Sequence, residues 1–158
     1  MTSVPLILIA RMLHVIAGIL WAGVVFVIVS TVMPIARQHA KDGAERWTSM
    51  ISQKAGPLSG IAAIVTLLSG VYLMIVMHRG DSTMSGLLLR IGALAGVLAF
   101  ILGVAVARPL AMKLARGTDE QGRDQMRRRL ALSARLTAAL VGIAVLCMAS
   151  FRYAPMLN

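Results

Sequence analysis

An all-α fold, a bundle of four membrane-spanning helices, is predicted by three observations. Of the 158 residues, 58% are hydrophobic and only 14% are charged, where a soluble domain carries about 25% charged residues. The mean hydropathy is +0.82. The apolar residues gather in four stretches, about 6–33, 56–77, 84–106 and 130–150, and each is long enough for a hydrocarbon core that takes about 20 residues of helix to cross. The length suits a single integral membrane domain over 1–158.

The first stretch is longer than the apolar region of a signal peptide, contains Arg11 and His14, and lacks a basic segment ahead of it, so it is expected to be a retained span. Pro34 follows Met33 and is expected to stop its helix. The loop to the second span carries Arg37, Lys41, Arg46 and Lys54, whereas the loop between the second and third carries only Arg79. Between the third and fourth lie Arg108, Lys113, Arg116, Arg123, Arg127, Arg128 and Arg129, with Gly117 and Gly122 expected to mark the turn. The C-terminal segment adds only Arg152. Eleven basic residues against two place both basic loops in the cytoplasm and both termini outside.

The same reading disposes of the net charge of +10. Its basic residues flank spans instead of forming a patch interleaved with aromatics, so the partner they imply is the lipid bilayer and its anionic headgroups, with no nucleic acid. The single cysteine, Cys147, excludes a disulfide framework, a multi-cysteine zinc site and an all-cysteine iron–sulfur site within the chain. No span contains a carboxylate, which excludes a hydrolase built from serine, histidine and acid inside the membrane.

Ionisable residues inside spans are costly and mark candidate sites. They are Arg11, His14, Arg90 and, near the cytoplasmic boundary, Arg135. Arg11, Arg135 and Arg152 lie near span ends, where a long side chain reaches water. At 100° per residue, Arg11, His14, Gly18, Trp21 and Val25 share a stripe of span one, and Gly70, Met74, Met77 and His78 share one of span two. If both stripes face inward, the outer half of the bundle collects imidazoles (His14 and His78 as metal ligands), thioethers, an indole and guanidinium groups. Such a set suits a metal ion or a metalloporphyrin with acidic side groups. In span three, Gly92, Gly96, Ala99 and Gly103 form a small-residue ridge that allows close helix approach, either within the chain or toward a homo-oligomer or a larger membrane complex.

The segment LHVIAGILWAG, Leu13 to Gly23, resembles the first span of the copper resistance protein D-like family and of its relatives, the HemJ-type protoporphyrinogen oxidases. GLLLRIGALAGVLAF resembles the place where those families have a basic residue near the outer end of a span, and RLALSARLTAALVGIAVLCMASFRY resembles their closing helix. The resemblance implies a four-helix bundle in a bacterial inner (cytoplasmic) membrane, with His14 as the counterpart of the family's first-span histidine. In the HemJ type that histidine is implicated in binding b-type haem together with a third-span lysine. Here that position is Arg90, which cannot serve as an axial ligand, and the Asn and Glu of that type's last span are missing.

Three functions follow as expectations. The first is a haem b protein of electron transfer or oxidoreductase character, with a quinol or an external redox partner. In it His14 Nε2 ligates iron, Arg90 and Arg11 pair with propionates, and His78, Met74 or Met77 takes the second axial position or leaves it open. The second is copper handling, using Met12, His14, Met74, Met77, His78 and Met84, since imidazole and thioether ligands favour Cu(I). The third is a cofactor-free accessory subunit that packs on a larger complex through the glycine ridge.

Overall fold

The computed structural model describes the backbone of residues 4–38, 44–80, 82–115, 120–151 and 153. Among them the fold is all-helical, with helices α1 (Val4–Val27), α2 (Met33–Gln38), α3 (Ala44–Met77), α4 (Met84–Leu102), α5 (Arg108–Ala115) and α6 (Glu120–Ser150). Four stretches are long and apolar enough to cross a membrane: Val4–Ala36, Gln53–Met77, Met84–Leu114 and Asp124–Ser150. The chain is thus a multi-pass membrane protein by length and composition.

Two expected boundaries are corrected. Pro34 does not end the first helix, which passes through a π-helical turn, Ile28–Val32, straight into α2. There the N–H of Met33 bonds to the carbonyl of Ile28, five residues back. Proline normally breaks a helix because it lacks an N–H and its ring strikes the carbonyl four residues earlier, and a widened turn is one place where a helix accommodates such a break. The third span repeats the device, since the π-turn Gly103–Ala107 closes with Arg108 N–H bonded to Gly103 O and is followed by Pro109. Gly122 lies inside α6 instead of at a turn, because a single glycine costs a helix only about 1 kcal/mol. Gly117 and Lys41 lie outside the described residues.

The bundle is built from two antiparallel pairs, α1 on α3 and α4 on α6. What they bury is mostly small: Ala10, Ala17, Ala62, Ala63, Ala95, Ala99, Ala131 and Ala138, with Trp21 and Val141 the larger members. Large aliphatic side chains such as Ile19, Leu68, Leu94 and Leu146 point outward. Lipid is as apolar as leucine, so the interfaces are selected for close backbone approach. The buried hydroxyls of Thr66, Ser69, Ser133 and Thr137 donate back to the carbonyls of Ala62, Val65, Leu130 and Ser133 at 2.6–2.9 Å, which satisfies them within their own helices.

The ridge of α4 is used inside the chain. Gly92, Gly96 and Ala99 are buried, and a β-carbon at Gly92 would stand 3.1 Å from the Cys147 β-carbon and 3.4 Å from the Ala144 carbonyl oxygen of α6. Ala99 joins Trp21, Ala62, Ala63 and Val141 in the central cluster. Near the far end of the bundle, Gly80 takes a φ of +81°, a conformation glycine adopts without strain. Thr83 then caps α4, its hydroxyl accepting from the N–H of Gly86 at 3.3 Å.

Candidate metal centre

His14 sits ten residues into α1, half-buried where α1, α3 and α6 meet. Gly70 makes the place for it. A β-carbon there would lie 2.8 Å from His14 Cε1 and 3.1 Å from Nδ1, so only glycine lets the ring approach α3 this closely. One turn deeper, Gly18 packs against the Thr66 side chain.

The shorter of the ring's two polar contacts sets its tautomer. Nδ1 lies 2.8 Å from the Thr66 carbonyl oxygen, and a carbonyl only accepts, so Nδ1 carries the proton. The Ser69 hydroxyl lies 3.4 Å from the same nitrogen, and because it donates its own proton to Val65 at 2.6 Å it serves as a second, weaker acceptor. Nε2 of the neutral ring therefore keeps its lone pair, and this nitrogen faces the Met148 thioether at 3.5 Å from Sδ. A ring nitrogen anchored to a backbone carbonyl while the other is presented is the arrangement that orients histidine ligands to metals.

Only part of the expected set comes together here. Arg11 and Arg90 are both exposed. Trp21 is buried in the central cluster, two helical turns from His14. His78 stands eight residues beyond Gly70, roughly 12 Å along the helix axis, where it meets Phe151 edge-on with ring centroids 6.2 Å apart. Met74 is half-buried one turn above Gly70, and Met77, Met12 and Met84 are exposed. Met148, Thr66 and Ser69 are the contributions that the sequence reading missed. The Thr66 contribution is a backbone carbonyl, and Met148 is one of 11 methionines in apolar surroundings, so neither stands out in the sequence. Ala62, Thr66 and Ser69 do share a helical stripe, and that pattern was the available signal.

The site's chemistry is soft and neutral. Imidazole nitrogen and thioether sulfur carry no charge, the apolar stretches 6–33, 56–77, 84–106 and 130–150 contain no carboxylate, and among the described residues no three His, Cys, Asp or Glu gather as ligands. A dication would stand uncompensated at this depth. A monovalent soft ion suits the donors.

A porphyrin fits less well. Axial ligands stand on opposite faces of the macrocycle, whereas here the thioether covers the nitrogen that iron would take and the ring packs on the backbone of α3. Comparisons with protein-family models, with curated proteins and with solved structures find no match to this chain.

Proposed function

We propose that this chain is a copper-handling membrane protein that holds Cu(I) between His14 Nε2 and Met148 Sδ. The observation that carries the reading is the 3.5 Å approach of the two soft donors, with Nδ1 tied to Thr66. It agrees with the likeness of Leu13 to Gly23 to the copper resistance protein D-like family. In this reading the termini lie outside a bacterial inner membrane and the basic ends of the bundle lie in the cytoplasm, following the distribution of Lys and Arg. The site then stands about 15 Å in from the outer end of α1, at 1.5 Å per residue. An ion arriving from outside meets it within the outer half of the bundle.

The test is a Cu(I) competition titration of detergent-purified protein, wild type and His14→Ala, together with oxidised and dithionite-reduced absorption spectra after expression with ample haem. One equivalent of Cu(I) in the wild type, lost in the variant, with no Soret band, is the expected result. A Soret band that vanishes in His14→Ala would replace copper by haem b at the same histidine. Neither ion nor chromophore would leave the accessory-subunit role.

A further inference from the structure

At the basic end of the bundle, the end of the third span and α6 line a cavity of about 410 Å³. Its lining is graded along the bundle. Leu102 and Ala105 on one side and Leu132 and Leu136 on the other make the deeper walls, while Lys113 and Arg129 stand toward the connecting turn. The two walls run antiparallel, and on both the basic residue lies nearer the turn: from 102 to 113 the chain travels roughly 16 Å toward it, and from 136 to 129 roughly 10 Å. The π-turn Gly103–Ala107 contributes Ala105 and Val106 to the wall, so the widened part of the third span borders the cavity directly.

We propose that this cavity binds an anionic phospholipid, its phosphate between Lys113 and Arg129 and the upper part of its chains along Leu102, Leu132 and Leu136. Charge and depth select that occupant. Lys113 and Arg129 are both exposed, so their charges are presented to a ligand, and Asp124, the acid of α6 whose side chain is described, lies 3.8 Å from Arg127. Leu132 and Leu136 are 60% and 48% exposed, which opens the apolar half to the acyl region where a lipid already resides. A guanidinium and an ammonium over an apolar wall complement a phosphate diester carrying hydrocarbon. The inference is independent of the proposed copper site at His14, which lies toward the opposite end of the bundle.

The experiment is native mass spectrometry of the purified chain titrated with phosphatidylglycerol or phosphatidylcholine, with inorganic phosphate as competitor. The wild type is expected to retain phosphatidylglycerol about tenfold better, and millimolar phosphate should not displace it. Lys113→Gln with Arg129→Gln should erase that preference. Arg108→Gln with Arg128→Gln, which removes the same charge from exposed positions outside the lining, should preserve most of it. Equal retention of the two lipids, equal loss in both double variants, or displacement by free phosphate would overturn the proposal. Should the first double variant not elute as a folded species, Ala105→Leu decides, because it fills the cavity with the charges intact. Lost binding supports the site, and undiminished binding refutes it.

Discussion

Met148→Leu is expected to weaken Cu(I) binding by about 100-fold or more while leaving the bundle's thermal stability nearly unchanged. Leucine and methionine have similar volumes, and such swaps cost under about 1.5 kcal/mol, a shift of a few degrees for a chain of this size. Yet leucine has no lone pair, so one of the two donors disappears. Substitutions in the outer shell of metal sites already cost about 10- to 100-fold in affinity, and loss of a direct ligand should cost at least as much. Met74→Leu removes a thioether one turn from Gly70 and should leave the affinity within about twofold of wild type. Competition against a chromophoric Cu(I) chelator measures both, and thermal unfolding in the same detergent controls for folding. Unaltered affinity in Met148→Leu would refute the nitrogen–sulfur pair as the site.

The second large effect is structural. Gly70→Ala places a carbon 2.8 Å from His14 Cε1, closer than real β-carbons approach, and the atom it meets belongs to a ring held by Thr66. Either the ring leaves its hydrogen bond or α1 and α3 part. Overpacking costs about 1–3 kcal/mol and a lost hydrogen bond about 0.5–1.5 kcal/mol, so the single variant should lose several degrees of melting temperature together with its Cu(I). Gly60→Ala on the same helix meets nothing within 4 Å and should be neutral. The decisive comparison is the double variant. With His14→Ala the obstruction is gone, so adding Gly70→Ala should cost little more, a strong departure from additivity. Additive losses would mean that the ring does not rest on Gly70.

The four spans were legible because hydropathy is written residue by residue over more than 20 positions in each. Their ends were not, since a helix stops where its hydrogen bonds stop and not where its apolar residues do. Pro34 and Gly122 read as breakers, but one follows a π-turn and the other lies within a 31-residue helix. His14 was legible as an ionisable group in lipid, and Gly70 as a member of the facing stripe. Arg11 shared the stripe with His14 but is exposed, because positions three apart differ by about 60° around a helix, and that rotation turns Arg11 off the face that meets α3. Arg90 followed from the ridge: once Gly92 and Gly96 turn toward the bundle, the opposite side of α4 faces out. Met148 was hidden by its own type, since methionine fills gaps in apolar helices everywhere.

The paired π-turns have a consequence for how the two ends of each odd-numbered span relate. An extra residue taken up in one widened turn sets everything after it back by about 100° from the azimuth of an unbroken α-helix. In the first span the inserted turn separates the part that seats His14 and Trp21 from the part that carries Arg37, and in the third it separates Gly92 and Ala99 from Arg108 and Lys113. Each span thus behaves as a shaft with a fixed phase offset. The face chosen for packing against its partner no longer dictates which way the charged end is aimed, so the cationic collar can be oriented without disturbing the register of the bundle above it.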